Sequence, residues 1–258
     1  MVNLALKQIR RRLSVRKEYR EINRIRKSYE RNLNFRLIRN FSKIGSDASS
    51  AFNYNGLQGY QIYSRLLLPS FRSILEPFYL DVITTFAQRL FKQKMAQKAT
   101  EDFDTIYKNF MQTIGTRRIV DISETTRKQI ENIIINNSDL GVAGITALII
   151  ERFGPRFTRA RAGTISRTET HTASSFAVHQ QAKQFNEPTL QKRWISNTDE
   201  RTRPSHAQAN GQQIGLDDDF TIGGKKMSYA GDPKGGASEV INCRCVIAYV
   251  EEDDELTE

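Results

Sequence analysis

From Leu4 to Ile44 the chain carries no proline and no glycine. Apolar side chains return at Leu6, Ile9, Leu13, Ile22, Ile25, Tyr29, Leu33, Leu37 and Phe41, mostly three or four apart. That period predicts one long amphipathic helix, or two, with a packing face and arginines elsewhere. Residues 45–59 (GSDASSAFNYNGLQG) are rich in Gly, Ser and Asn and read as a linker. Helical patterning resumes at Tyr60, with Pro69 and Pro77 expected to break or restart it, and a helix follows over 78–99. Phe103, Ile106, Tyr107, Phe110 and Ile114 form an apolar stripe, read as core. Ser123 or Asp121 is placed to cap a helix ending near Asn137, and Asp139 another over 142–152. The segment from Thr158 to about Gln184 reads as helix throughout.

After Pro188 the period changes. Gln191 to Ser196 and Cys243 to Val250 read as strands, Asn210-Gly211 is a turn signal, and glycine-rich loops cover 215–224 and 230–236. The fold expected is α+β: a mostly helical N-terminal region followed by a small α+β C-terminal domain with a short antiparallel sheet. The divisions are a basic helical arm at 1–46, a helical region at 47–155, an α+β domain at 156–250 and an acidic, frayed tail at 251–258.

Charge sharpens this division. The net charge is +10, yet residues 1–46 hold 14 Lys/Arg against 3 Asp/Glu and the remainder is close to neutral. Arg10, Arg11, Arg12, Arg16, Lys17, Arg20, Arg24, Arg26, Lys27, Arg31, Arg36 and Arg39 therefore form a candidate surface for DNA phosphates or for an acidic protein. Nothing in the segment resembles a base-reading module, so any DNA contact is expected to be sequence-independent. The longest apolar runs, Ile133–Ile135 and Ala147–Ile150, are too short to span a bilayer, and no apolar signal core follows Met1. No membrane partner is expected, and the host cytoplasm is the expected place of synthesis.

The C-terminal third concentrates polar side chains: Arg167, Glu169, His171, Asp199, Arg201, Arg203, His206, Glu239 and Arg244. Burying charges costs several kcal/mol unless they are paired, so a structural ion-pair network is the first reading, with Glu169 near Arg201 or Arg244. Catalysis by Cys243 or Cys245 with His206 is the weaker alternative, because a cysteine in a core strand behaves as a small inert hydrophobe. A zinc site on His206, Cys243 and Cys245, with His171 or Asp199 as fourth ligand, is the more serious rival, although C-x-C is less specific than C-x-x-C. No cofactor is expected. Trp194 reads as a core anchor, His179 as a helix-surface histidine two turns after His171, and Gly231–Gly236 lacks the order of a phosphate loop.

These residues also fall in a recognisable order. Arg167-Thr168-Glu169-Thr170 on a helix, Trp194, Asp199, Arg201 to Arg203, His206, Gly211, Gly231-Asp232-Pro233 and Asn242-Cys243-Arg244-Cys245 together resemble the Mu protein F-like domain of phage minor head proteins. That family is also called the phage head morphogenesis family. The resemblance covers residues 156–248 and departs at Ala230, where the family often has proline. It implies a structural minor head protein rather than an enzyme. Such a protein lies in few copies inside the head near the portal vertex, with the portal protein, the major capsid protein and packaged double-stranded DNA as partners. Roles in head assembly, DNA packaging and DNA ejection follow from the same likeness. The alternative is a phage-delivered enzyme or effector using the polar and Cys–His cluster.

Overall fold

A computed structural model describes residues 12–94, 103–185, 189–197, 199–251 and 255–257. Six helices build the larger part: α1 (Val15–Ser64), α2 (Leu67–Lys94), α3 (Phe103–Phe110), α4 (Thr116–Asn136), α5 (Gly141–Arg152) and α6 (Pro155–Gln184). A π-helical stretch, Met111–Gly115, joins α3 to α4, and a 3-10 turn, Ser138–Leu140, precedes α5. Two short helices, α7 (Pro204–Gln208) and α8 (Gly236–Val240), belong to the C-terminal part. The strands are β1 (Arg12–Ser14), β2 (Gln191–Ile195), β3 (Gln213–Gly215), β4 (Phe220–Ile222), β5 (Lys225–Met227), β6 (Val246–Val250) and β7 (Glu255–Thr257). β2 lies between β3 and β6, antiparallel to both, while β4 and β5 form a separate hairpin. The α+β class therefore stands.

α6 is the axis of the molecule. From Thr168 to His179 every side chain is buried, so this helix is enclosed on all sides. α1 and α2 pack along it, and the β6 strand closes its C-terminal half. Aromatic rings continue the contact, with Tyr79 of α2 against Phe110 of α3, and Phe110 against Phe176 of α6. The stripe read as core is core: Ile106 and Phe110 are buried, and Phe103, Tyr107 and Ile114 pack against them. Trp194 is fully buried on β2, as expected.

Several local expectations are corrected. The 45–59 segment is not a linker, because α1 runs through it, departing from helical angles only at Asn55 and Gly56. Gly45 is needed there for contact, since a Cβ would come within 2.5 Å of the Phe153 Cβ. α2 passes through Pro77 without breaking. Pro77 and Ser73, whose carbonyl loses its helical donor, are both exposed, so water can replace that bond. Asp121 and Ser123 lie inside α4, which begins at Thr116, and Asp139 sits in the 3-10 turn without acting as the cap of α5. The loop at 215–224 contains β4 and the β4–β5 turn, where Gly223 and Gly224 have φ of 55° and 75°. Such a paired left-handed turn suits a two-residue hairpin. The tail is not wholly frayed, because β7 pairs in parallel with β1 and sets Glu255 opposite Arg12 in register. The part of the 78–99 helix beyond Lys94 falls outside the described residues.

Candidate functional site

The polar residues of the C-terminal part resolve into three separate groups instead of one network. Glu169 does not meet Arg201 or Arg244. Its carboxylate accepts from Arg118 Nη2 at 2.6 Å and from the Tyr79 hydroxyl at 2.8 Å, tying α6 to α4 and α2. Burial and this neighbouring carboxylate push the Tyr79 hydroxyl well above its usual range. Sequence spacing gave no sign of this partner, since Arg118 lies 51 residues away.

Asp199 and Arg244 form the second group, a two-pronged pair with oxygens 2.5 and 2.6 Å from the guanidinium nitrogens. The Arg244 hydrogen bonds hold the Asp199 carboxyl well below the usual carboxylate range. Arg203 donates to the Ile241 carbonyl at 2.6 Å, and Arg167 to the Asn242 side-chain oxygen at 2.7 Å. These bonds pin the 199–203 loop and α6 to the chain around Asn242, whose φ of 59° turns the backbone toward the cysteines. Arg201 contributes through its backbone, which donates to Asp199 at 3.1 Å, and its side chain is exposed.

The third group is His206 with Glu239, Cys243 and Cys245. His206 Nε2 lies 3.0 Å from Glu239 Oε2, and Ser205 donates to that same oxygen at 2.9 Å. With the Nε2 proton directed to the carboxylate, Nδ1 faces the sulfurs, 3.2 Å from Cys245 Sγ and 3.6 Å from Cys243 Sγ. The Trp194 ring stands edge-on to the imidazole, 5.5 Å between centroids, and fixes its plane. All three ligand-type residues are buried. The hydrogen bond from Cys243 to Cys245, together with burial, pushes the Cys243 thiol up. That same bond and the adjoining His206 ring pull the Cys245 thiol down. Neither candidate fourth ligand joins them: His171 Nε2 is 2.8 Å from the Cys245 carbonyl, and Asp199 is taken by Arg244.

The Gly231-Asp232-Pro233 turn is explained by packing. Gly231 has φ of 87°, and a Cβ there would lie 2.3 Å from His171 Nδ1. Asp232 accepts from the backbone N–H groups of Ser228 at 2.8 Å and Lys234 at 3.0 Å. Pro233 then begins a 3-10 turn, where a missing N–H costs nothing. His179, expected on a helix surface, is instead buried beside Tyr229 and Tyr249, and burial lowers it to about 3.

The basic helix divides into an inner and an outer set. Arg26 is only 3% exposed. It donates to Ser174 Oγ at 2.8 Å, Ser175 Oγ at 2.8 Å and the Cys245 carbonyl at 3.0 Å. Its guanidinium is therefore engaged inside the protein and is withdrawn from the candidate DNA or portal surface. Burial draws it down to about 10. Arg16, Arg20, Arg24, Lys27 and Arg31 are exposed, and their spacing places them within about 80° of arc, a single stripe rather than a spread around the helix. Lys17 and Arg39 are exposed to the side of the stripe, and Arg36 is half-buried. Arg10 and Arg11 lie outside the described residues, as does the side chain of Arg12.

The Phage Mu protein F like family matches residues 93–248, from before α3 to β6. The chain belongs to that family. Among curated relatives, the uncharacterized protein YqbB of Bacillus subtilis (strain 168) is 30% identical over 48% of this chain and 42% of its own length. The minor head protein GP7 of Bacillus phage SPP1 is 33% identical over 35% of this chain and 30% of its own. The NAD(+)--arginine ADP-ribosyltransferase EFV of Enterococcus faecalis (strain ATCC 700802 / V583) is 34% identical over 33% of this chain and 18% of its own. The chain thus spans less than half the length of each. No solved structure matches it. Among the described residues, no single helix is long and apolar enough to cross a membrane.

Proposed function

We propose that this chain is a structural minor head protein of a tailed bacteriophage, positioned inside the head near the portal vertex, where it assists head morphogenesis, DNA packaging and ejection. The observation that carries the reading is the family match over α3 to β6, a span in which the motif side chains hold the fold together. Glu169, Asp199, Arg203 and Asp232 are each engaged by neighbouring protein groups. A minor head protein among the relatives points the same way. The outer basic stripe of α1 suits the phosphates of packaged double-stranded DNA or an acidic patch on the portal protein. Ile135, Leu140 and Val142 at the α4–α5 corner are exposed and suit contact with another head protein, either the portal or the major capsid protein. Co-sedimentation with portal protein from the same phage tests the docking part of this reading. The expected result is salt-sensitive retention that is lost when Arg16, Arg20, Arg24, Lys27 and Arg31 are replaced by glutamine. Retention of that variant equal to the native chain removes the stripe from the account.

An effector reading draws on the ADP-ribosyltransferase relative. This chain covers 18% of that protein, so the likeness supports a shared module and carries no activity over to this chain.

A further inference from the structure

We propose that Cys243, Cys245 and His206 form a zinc site that staples α7 to the segment leading into the closing strand β6. The thiolates and the imidazole Nδ1 already stand at the right separations. A tetrahedral zinc with bonds of about 2.3 Å to sulfur and about 2.0 Å to nitrogen places sulfur and nitrogen ligands roughly 3.5 Å apart. Here the two Nδ1–Sγ distances are 3.2 and 3.6 Å, and all three ligand atoms lie within 4.8 Å of one another.

The surroundings fit a metal better than they fit a pair of inert core thiols. Cys243 and Cys245 flank Arg244 just before β6, and both thiols reach the same imidazole nitrogen. His206 is oriented from behind by Glu239, itself fixed by Ser205, and this carboxylate–imidazole arrangement is what orients metal-bound histidines elsewhere. A carboxylate on Nε2 with Nδ1 turned to two sulfurs is the arrangement of a metal-binding imidazole. Two thiolates also balance the charge of a divalent cation, so the ion and its protein ligands together carry no net charge. Sulfur and imidazole donors select zinc over magnesium or calcium. Binding releases the thiol protons of Cys243 and Cys245 to solvent. The fourth position falls to a water, since the Ser196 hydroxyl is held by Trp194 and the His206 carbonyl.

The test uses the full chain without a histidine tag, purified with and without zinc and titrated with Co(II). The expected results are about one zinc per chain, a sulfur-to-cobalt charge-transfer band in the near ultraviolet, and a melting temperature lowered by a strong chelator. Cys243→Ala/Cys245→Ala abolishes the band, and Glu239→Gln weakens metal affinity by 10- to 100-fold, the usual cost of losing such a carboxylate. A folded native chain that gives no sulfur–cobalt band and no zinc above the double variant overturns the proposal. Because the decisive reading is taken on the native chain, a variant that fails to fold does not obscure it. The outcome is also independent of whether the chain resides in a phage head.

Discussion

Replacing Arg26 by methionine separates the structural part of the basic helix from its outer face. Methionine keeps the apolar stem against α6 but removes the donors to Ser174, Ser175 and the Cys245 carbonyl. Hydrogen bonds to charged groups contribute about 1.5–3 kcal/mol each, so three represent a gross loss of roughly 4–9 kcal/mol. Against that stands the cost of burying a guanidinium whose three hydrogen-bond partners are all neutral, a cost visible in its fall to about 10. The Ser174 hydroxyl still donates to the His171 carbonyl, and the Cys245 carbonyl retains His171. A net destabilisation of about 3 kcal/mol remains, which for a chain of this size lowers the melting temperature by roughly 6–12 °C. Differential scanning calorimetry on the native chain, Arg26→Met and Arg26→Lys provides the assay, with lysine expected to fall between the other two. DNA affinity of the folded Arg26→Met variant should keep the native salt dependence, because the lost charge was internal. A methionine variant as stable as the native chain would falsify the reasoning, since the buried cation would then be no anchor.

Glu169→Gln should cost about 2 kcal/mol in chemical denaturation, because the amide still reaches Tyr79 but no longer pairs with Arg118. Unchanged stability in that variant would leave the carboxylate without its structural role. For the outer stripe, Arg20, Arg24 and Arg31 changed together to glutamine should reduce the slope of log affinity against log salt by up to about 2.7 on duplex DNA. An unaltered slope would place the DNA contact elsewhere. His179 gives a pH prediction. Its folded value of about 3 lies below the 6.5 of a free imidazole, so the unfolded chain binds the extra proton first as pH falls. Stability should be complete above pH 6.5 and should have lost roughly 2 kcal/mol from this group at pH 5. His179→Phe should flatten the denaturation midpoint over that window, and an equally steep midpoint in the variant would exclude His179 as the source.

The periodic elements were legible because their apolar positions repeat. α6, α5, the Ile106–Phe110 stripe, β2 and the buried Trp194 all follow from spacing and residue type. The composition of 45–59 misled, since small residues serve two purposes. Gly45 admits the close approach of Phe153, a tertiary demand that looks like flexibility in the sequence, and Gly59 admits the Ala51 carbonyl across the kink in α1. Arg26 carried a usable signal: it falls four residues after Ile22, seven before Leu33 and eleven before Leu37, all buried on one face. A charge on that face marks a buried anchor. The pairing of Glu169 with Arg118 had no local signature, because the helices meet only in the folded chain. The convergence of His206 with Cys243 and Cys245 likewise depends on a turn at Asn242 whose angle the residues alone do not fix.

Mass spectrometry of purified particles, made from the genome that encodes this chain, tests the head-protein reading most directly. The account predicts the polypeptide in a few copies per particle, resistant to external protease and retained through density-gradient purification. Infectious particles of normal composition that lack it entirely would contradict the account.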